Sequence, residues 1–338
     1  MKPDTQPGTL TLAVVIPVYG AAEYLEHCVN SVRQQSPAVN EIIIAGDGPN
    51  PAAAAVAERT GAHYQETARR GGPGAARNLG ASAASSNLVW FIDADVTVPP
   101  GAARQVLDFF AGHPHAALFG SYDDSPSQPG LLSQYRNLLH HYTHQHGCPE
   151  AGTFWAGCGV FRRDRFLALG GFDPAFTRPS VEDIELGLRA RRAGDAIRLD
   201  KTLLCKHHKT WRAGALIRDD ITRRAAPWTR LLLRERRLPN DLNLGHGQRV
   251  SVVLAGLLPA ALAALVQSAA AAITVLACAT GLLALNADFY RFLAHRRGIW
   301  FTVRAIPCHW LYFICAGCGG LLGTAQFLIS PVPVNRNG

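Results

Sequence analysis

The sequence predicts an α/β domain built on a mainly parallel sheet, followed by a C-terminal α-helical transmembrane region. In the first part of the chain, short apolar runs rich in β-branched residues alternate with segments of helical period, which is typical of parallel α/β sheets. Polar motifs follow these runs directly, where such sheets bind ligands. Near the C-terminus, 38 and then 31 consecutive residues lack Asp, Glu, Lys and Arg. These three observations decide the prediction.

Three apolar runs are the predicted strands, at residues 12–18, 41–45 and 88–92. The segments between them that show helical spacing are 21–35, 52–60 and 74–84. The strands stop at the polar motifs Tyr19-Gly20, Asp47 and Asp93-Ala94-Asp95. Since parallel strands present their carboxyl ends at one edge of a sheet, we expect these motifs to form one site.

Asp93 and Asp95 place two carboxylates on a tight turn after a buried strand. Oxygen ligands of this kind suit Mg²⁺ or Mn²⁺, which often bridge to phosphates. His207 and Lys209 follow a later strand-like segment. His207 is therefore a candidate further ligand, and Lys209 a candidate phosphate contact. The structural alternative for the two aspartates is a capped turn that leads into the next helix.

A glycine-rich loop at residues 71–78 runs into the helix predicted at 74–84. Its backbone N–H groups, with Arg77, would suit a diphosphate. The loop lacks the Gly-Lys-Ser/Thr ending of nucleoside-triphosphatases and is not a dinucleotide fingerprint. A plain surface turn remains the alternative.

Residues 180–186 have two interpretations. Ser180 with Asp183 three residues later matches a helix capping box. Asp183, or Glu182 beside it, can also face the site from the helix start as a general base. Both can hold, because a cap fixes the position of the carboxylate.

The composition excludes several classes to which the protein could belong. Apolar residues make up 48% and only eight residues are Cys, which argues against a disordered chain and against a disulfide scaffold. The net charge of +8 suggests an anionic partner. However, residues 1–197 hold 15 Lys+Arg against 19 Asp+Glu, residues 198–249 hold 13 against 5, and residues 250–338 hold 5 against 1. The first part is net negative and the arginines flank apolar stretches, so nucleic acid is not an expected partner.

The uncharged stretches predict three membrane spans, at 250–267, 269–287 and 305–330, with a turn at Gln267 and Ser268. Residues 212–249 read as a basic amphipathic membrane-proximal segment and 288–304 as an interfacial segment. The positive-inside rule puts both on the cytoplasmic side. The polar start of the sequence does not resemble a cleavable signal. We therefore expect an integral protein of a bacterial inner membrane with a cytoplasmic catalytic domain.

The N-terminal part of the sequence resembles family 2 glycosyltransferases with the GT-A fold. The motifs occur in the family's order: Val14-Val15-Ile16-Pro17-Val18-Tyr19, Asp47-Gly48, Gly74-Ala75-Ala76-Arg77-Asn78-Leu79-Gly80, Phe91-Ile92-Asp93-Ala94-Asp95, Gly157-Cys158-Gly159-Val160-Phe161-Arg162-Arg163, Gly170-Gly171-Phe172-Asp173 and Glu182-Asp183-Ile184-Glu185-Leu186. The C-terminal part resembles membrane-anchored members of the family. The resemblance implies a GT-A domain at 1–230 and a transmembrane region at 250–330.

The resemblance also implies roles for individual residues. The nucleotide-sugar site would comprise Pro17, Tyr19, Asp47, Arg77, Asp93, Lys209 and Trp211. The Mg²⁺ or Mn²⁺ ligands would be Asp95, Asp93 and His207. The catalytic residues would be Asp183, as the base, and Glu182 beside it. The sequence departs from the family at Gly46-Asp47, where a pair of acids is usual, so one nucleotide contact is missing.

The predicted function is therefore inverting transfer of one sugar from a UDP- or GDP-sugar to a hydroxyl of a lipid or lipid-linked acceptor. The chain lacks the Gln-x-x-Arg-Trp motif of processive synthases, which favours a single transfer. A polyprenyl-phosphate sugar synthase, whose phosphate acceptor needs no strong base, is the alternative. A membrane scaffold with a degenerate transferase domain is a third possibility, and the intact acidic motifs disfavour it.

Overall fold

The chain folds into two units, and the first of them carries the sheet. The computed structural model describes residues 10–20, 23–236, 240–266 and 268–329. The first unit comprises the chain as far as Ser127 together with Gly147–Lys209, and the second comprises Gln128–His146 and the chain from Thr210 onward. The predicted boundary at 230 rests on the family resemblance and that at 249 on composition, and both stay predictions.

Eight strands of the first unit form one mixed sheet. They are β1 Leu12–Val18, β2 Glu41–Gly46, β3 His63–Glu66, β4 Leu88–Ile92, β5 Val96–Thr97, β6 Ala117–Tyr122, β7 Cys158–Arg162 and β8 Ile197–His207. Their order is β3-β2-β1-β4-β7-β6-β8-β5. The first four in this order are parallel to one another, whereas β7 is antiparallel to both β4 and β6. The predicted α/β class is confirmed, and all three predicted strands belong to the parallel half.

The sequence does not predict β3. Three of its four residues are exposed, and none belongs to an apolar run. The strand lies at the edge of the sheet and pairs only with β2, where Glu66 is opposite Gly46. An exposed edge strand is held by backbone hydrogen bonds to its neighbour and buries little, so an apolar pattern cannot reveal it.

The helices, in chain order, are α1 Leu25–Arg33, α2 Pro51–Thr60, α3 Pro73–Ala83, α4 Ala102–Gly112, α5 Leu131–His146, α6 Arg163–Ala168, α7 Glu182–Arg192, α8 Ala213–Asp219, α9 Ala226–Glu235, α10 His246–Ala264, α11 Ala270–Leu285, α12 Ala287–Arg297 and α13 Ile299–Ile329. A six-residue π-helix, Asp220–Ala225, joins α8 to α9. Helix α5 and the helices from α8 onward belong to the second unit.

The parallel strands bring the polar motifs to one edge of the sheet. β1, β2 and β4 end at Val18, Gly46 and Ile92, directly before the segments that carry Tyr19, Asp47 and Asp93. β5 adds to the far side of the sheet by pairing with the end of β8, where Val96 is opposite His207. The predicted convergence of motifs at one sheet edge therefore follows from the strand directions.

Two helices of the second unit are long and apolar enough to cross a membrane, α10 and α13. Helices α11 and α12 qualify together, but they are bent by 64° at their junction. Among the described residues the number of candidate spans is therefore two, or three if the bent pair is one span. The predicted interfacial segment 288–304 forms α12 and the first turns of α13. Of the predicted turn between the first two spans, Ser268 lies between α10 and α11, whereas Gln267 lies outside the described residues.

Helix α3 is pressed against β1 at Gly80. A Cβ atom at this position would lie 2.5 Å from Cγ1 of Val15, which is fully buried. We expect Gly80→Ala to lower the free energy of unfolding of the first unit by about 1–2 kcal/mol, because overpacking a core outweighs the helix propensity that alanine gains. Thermal unfolding of the purified chain in detergent measures this loss.

Gly112→Ala is the matched control for this prediction. Gly112 ends helix α4, and a Cβ atom there meets nothing within 4 Å. This variant should melt at or slightly above the wild-type temperature. Equal melting temperatures for the two variants would show that α3 does not press on β1 as closely as described.

Candidate active site

One buried arginine joins three of the sequence motifs. Arg77 lies on α3 and is 5% exposed. Its Nη2 donates to Asp93 Oδ1 at 2.7 Å, and its Nη1 donates to Glu182 Oε1 at 3.3 Å. Burial opposes the charge, but the carboxylates of Asp93, Glu182 and Asp183 outweigh it and raise the pKa of Arg77. The guanidinium therefore holds the end of β4 and the start of α7 in fixed positions.

The neighbouring side chain, Asn78, makes a second tie from the same helix. Its Oδ1 accepts from the N–H of Phe172, and its Nδ2 donates to the carbonyl of Phe172, both at 2.8 Å. A Cβ atom at Gly171 would lie 2.4 Å from Asn78 Oδ1, so only glycine fits there, in its left-handed conformation. Arg77 and Asn78 thus fix different segments, and the contact with Asn78 explains Gly171 of the 170–173 motif.

Asp183 lies in the first turn of α7 and is half-buried. Its Oδ2 accepts from the N–H of Ala156 at 3.1 Å, and its Oδ1 accepts from the N–H of Ile184 at 2.8 Å. Burial, followed by the charge of Glu182, raises the pKa of Asp183 to about 7, although the two N–H groups and Arg77 act against this. A carboxyl that titrates near neutrality can accept a proton at physiological pH.

The segment before α7 is tied back to Glu182. Val181 directly precedes the first residue of the helix. The N–H of Ser180 donates to Glu182 Oε2 at 2.8 Å, so Glu182 turns back towards the preceding loop. The capping box of Ser180 and Asp183 stays a prediction.

Asp95 and His207 meet at the end of β8. His207 Nε2 lies 3.5 Å from Asp95 Oδ2. The ring of His207 stacks on that of Tyr122, with centroids 4.2 Å apart and planes 5° from parallel. Burial alone would raise the pKa of Asp95, but the hydrogen bond and charge of His207, and the charge of Lys209, lower it. Asp95 is therefore held as a carboxylate beside an imidazole of fixed orientation.

A cavity of about 560 Å³ opens beside the ends of β1 and β2. Tyr19, Asp47 and Arg70 are among the residues that line it, and the guanidinium carbon of Arg70 lies 3.5 Å from the ring centroid of Tyr19. Asp47 is 6% exposed, and its Oδ1 accepts from the N–H groups of Gly71 and Gly72. Asp47 therefore also anchors the glycine-rich loop to the wall of the cavity.

Other predicted site residues lie elsewhere. Pro17 is buried within β1 and pairs with Ala45. Trp211 belongs to the second unit, where the guanidinium carbon of Arg224 lies 5.2 Å from its ring centroid and that of Arg136 lies 6.0 Å away. Its predicted role over the donor phosphates stays a prediction.

The chain is similar to known glycosyltransferases. Residues 13–170 match the model of the family described as Glycosyl transferase family 2. The chain carries a family 2 glycosyltransferase domain. It is 29% identical over 243 residues to the pre-mycofactocin glycosyltransferase of Mycobacterium tuberculosis, a match that covers 66% of this chain and 47% of that protein. It is 26% identical over 204 residues to the minor teichoic acid biosynthesis protein GgaA of Bacillus subtilis, with 54% and 44% covered. The chain thus spans about half the length of these curated relatives.

A solved structure gives the fold of the glycosyltransferase domain. The mannosyltransferase PcManGT from Pyrobaculum calidifontis, in complex with GDP-Man and Mn²⁺, superposes with a TM-score of 0.61 at 17% identity, covering 93% of this chain and 88% of that chain. At this identity the likeness establishes the fold alone. The predicted GT-A fold is confirmed, and its mainly parallel sheet includes antiparallel pairs at β7 and β5.

The predicted metal ligands of the glycosyltransferase domain fit a divalent ion in part. Two donor atoms 3.5 Å apart, such as Asp95 Oδ2 and His207 Nε2, can both lie about 2.1 Å from one ion. Asp93 differs, since its Oδ1 is bonded to Arg77. Among the residues that the structure describes, no three His, Cys, Asp or Glu side chains gather around one point. Mg²⁺ commonly takes one or two carboxylates and completes its shell with phosphates and water, so the carboxylate of Asp95 is a ligand of the kind that it prefers.

Sequence reasoning missed Tyr122 and Arg70. Tyr122 is the last residue of β6, a strand the sequence did not predict, and its partner His207 is 85 positions away in the chain. Arg70 stands in the loop before the Gly-rich turn and meets Tyr19 only because β1, β2 and β3 are neighbours. No local pattern marks either residue.

We expect Arg77→Met to destabilise the first unit by about 3 kcal/mol, because breaking a buried ion pair leaves the carboxylate of Glu182 buried without its counter-charge. Thermal unfolding of the purified chain measures this loss. Arg59→Met is the matched control, since Arg59 pairs with Glu26 at the surface, where the two side chains are 55% and 44% exposed. The control should change stability by less than about 1 kcal/mol. A melting temperature for Arg77→Met equal to that of the control would contradict the central role of Arg77.

Proposed function

We propose that the protein is an inverting glycosyltransferase that moves one sugar from a UDP- or GDP-sugar to a hydroxyl of a lipid or lipid-linked acceptor. The proposal rests on the environment of Asp183. This residue is half-buried, it is oriented by two backbone N–H groups, and its pKa is raised to about 7. A hydroxyl acceptor needs a base of this kind, whereas a phosphate acceptor is already an oxyanion.

The donor side of the proposal rests on the cavity beside β1 and β2. The exposed ring of Tyr19 and the guanidinium of Arg70 offer a stacking surface and a positive charge to a nucleotide. Asp47 accepts hydrogen bonds in the wall of this cavity and suits a base or a ribose hydroxyl. PcManGT was solved with GDP-Man, which supports a nucleotide-sugar donor here. Lys209 is the candidate contact to the diphosphate.

The chemical step is a single displacement. Asp183 removes the proton from the acceptor hydroxyl, and the oxygen attacks the anomeric carbon opposite the leaving group. The bond from that carbon to the diphosphate oxygen breaks, and the nucleoside diphosphate leaves with the electron pair. Arg77 acts as a positioning residue, since it holds Glu182 next to Asp183 and keeps both at the start of α7.

Asp95 and His207 would hold Mg²⁺ or Mn²⁺, with Asp93 nearby. When bound, such an ion offsets negative charge on the diphosphate. Tyr122 keeps the His207 ring in the orientation in which Nε2 faces Asp95. The chain itself thus supplies a preformed pair of donors.

The acceptor side rests on the second unit. Among its described residues, two helices are long and apolar enough to cross a membrane, and the bent pair α11 and α12 would make a third span. Helix α12 carries basic and aromatic residues together. We place the protein in a bacterial inner membrane with its glycosyltransferase domain in the cytoplasm. An acceptor anchored in that membrane would then be concentrated near the enzyme.

Asp183→Asn should lower kcat by about 10²- to 10⁴-fold, because an amide cannot accept the proton. The assay follows sugar transfer to lipid by mass spectrometry after a screen of nucleotide sugars. Asp164→Asn is the matched control, since Asp164 is exposed in the first turn of α6 and accepts from the N–H of Arg165. The comparison uses a nucleotide sugar that the screen has identified as a substrate. Near wild-type turnover in Asp183→Asn would then favour a polyprenyl-phosphate acceptor, which needs no base.

The rate of transfer should depend on pH in the direction set by Asp183. The carboxyl is protonated below about 7 and is then unable to act as a base. We expect kcat to fall about tenfold for each pH unit below this value and to level off above it. A kcat that is constant from pH 5 to pH 8 would exclude Asp183 as the base.

His207→Ala should weaken Mn²⁺ binding by about tenfold or more, because the ion loses one of two side-chain donors. The loss of the free Mn²⁺ signal in electron paramagnetic resonance measures binding independently of turnover. His113→Ala is the control, since His113 is an exposed residue bonded to the carbonyl of Phe109. Unchanged Mn²⁺ affinity in His207→Ala, or full activity in the presence of a chelator, would exclude the metal role.

A further inference from the structure

The second unit contains a charged cluster that the transfer chemistry does not use. Asp220, which is 5% exposed, is the first residue of the π-helix. Its Oδ1 accepts from Arg136 Nη2 at 2.8 Å and from Arg224 Nη1 at 2.7 Å. One carboxylate therefore serves two guanidinium groups, and this trio carries a net charge of +1.

Aromatic side chains surround the two arginines. Both guanidinium groups lie over the ring of Trp211, and that of Arg136 also lies 5.2 Å from the ring centroid of Tyr312 on α13. The backbone N–H of Trp211 donates to Ser133 Oγ at 2.9 Å, which ties the backbone at Trp211 to α5. Tryptophan and tyrosine are typical of the boundary between lipid and water, where one side of the ring is apolar and the other is polar.

Near the cluster lie buried polar atoms without hydrogen-bond partners. Within the part of the chain that the structure describes, Arg136 Nη1, Tyr135 Oη and His309 Nε2 are buried and have no hydrogen-bond partner. Tyr135 and His309 are each 1% exposed, and their ring centroids are 6.1 Å apart. Buried polar groups are almost always hydrogen-bonded in native proteins, so this arrangement indicates a missing acceptor.

The π-helix that carries Asp220 and Arg224 is held by close backbone contact with α13. A Cβ atom at Gly319 would lie 2.4 Å from the Cβ of Ala225, and one at Gly323 would lie 2.4 Å from the carbonyl oxygen of Ala226. This Gly-x-x-x-Gly spacing is typical of helices that approach closely in membranes. π-Helical turns are rare and frequently occur at functional sites. The charged trio is therefore fixed directly to a helix long enough to cross a membrane.

We propose that Arg136 and Arg224 bind the phosphate group of a membrane lipid. Guanidinium groups recognise phosphate through paired N–H donors, and the oxygens would satisfy Arg136 Nη1. The ligand can enter past Arg224, whose side chain is 39% exposed, whereas those of Arg136 and Asp220 are 13% and 6% exposed. The lipid source follows from α13, which supplies Tyr312 to the same cluster. The inference rests on the proposed function in one respect, namely that the sugar acceptor is a lipid or is linked to a lipid.

The test uses the purified full chain in a neutral detergent, without any nucleotide sugar. Equilibrium binding of radiolabelled farnesyl phosphate is compared with that of farnesol and of inorganic phosphate. We expect farnesyl phosphate to bind at least about tenfold more tightly than either, since only it offers both the charge and the chain. Equal affinity for farnesol would overturn the role of the arginines, and equal affinity for inorganic phosphate would overturn the lipid source.

Variants assign the binding to the cluster. Arg136→Gln and Arg224→Gln should each weaken the binding of farnesyl phosphate by about 10- to 100-fold. Arg223→Gln is the matched control, because Arg223 lies on the same π-helix but pairs with Asp219. This control should change the affinity by less than about twofold. Unchanged affinity in both cluster variants would overturn the proposal.

The variant Asp220→Asn shows whether the two arginines bind phosphate or only form a structural ion pair with Asp220. The substitution leaves the two guanidinium groups without their shared carboxylate, so farnesyl phosphate should bind more tightly, by about tenfold. A structural ion pair would instead give a lower melting temperature and no gain in affinity. Arg136→Lys guards against misfolding, since it keeps the charge but loses the paired donors, and it should weaken binding less than Arg136→Gln. Weaker binding in folded Asp220→Asn would overturn the proposal.

Failure of this inference can be distinguished from failure of the proposed function. Asp183→Asn should bind farnesyl phosphate with wild-type affinity, because Asp183 belongs to the first unit. Sugar transfer without binding of farnesyl phosphate would overturn this inference alone. Binding without transfer of any sugar would overturn the proposed function alone.

Discussion

The glycosyltransferase domain depends on one buried charge, the guanidinium of Arg77. It bonds to Asp93 at the end of one strand and to Glu182 at the start of α7, which are 89 positions apart in the chain. Burying a guanidinium is unfavourable unless carboxylates compensate it, and here two do so. The same contacts set the electrostatics of Asp183, whose pKa is raised by burial and by Glu182 and lowered by Arg77. Position and basicity of that carboxyl therefore have a common origin.

Each unit contains a cluster of arginine and carboxylate side chains, and the ratio of arginines to carboxylates is reversed between the two. In the first, one arginine lies between the two carboxylates of Asp93 and Glu182, which leaves an excess of negative charge. In the second, the carboxylate of Asp220 lies between two arginines, which leaves an excess of positive charge. An excess of negative charge favours protons and cations, and an excess of positive charge favours phosphate.

Much of the fold and of the first site was predictable from the sequence. The parallel strands were visible because their buried faces read as continuous apolar runs, and the polar motifs stood where such strands must end. The exposed edge strand β3 was not visible, because it buries little. The direction in which Glu182 turns was not visible either, because a contact with distant Arg77 fixes this side chain. Local patterns fail where a long-range contact decides the conformation.

The sequence by itself determined the fold class, the family and the uncharged stretches, because each depends on composition or on spacing within a short segment. Only the tertiary structure decided which charges face one another. It gave Arg77 two carboxylates, set the ring of Tyr122 against that of His207, and placed Trp211 between Arg136 and Arg224. The physical reason is that charge and ring contacts act over a few ångströms, and the residues that make them come from distant segments.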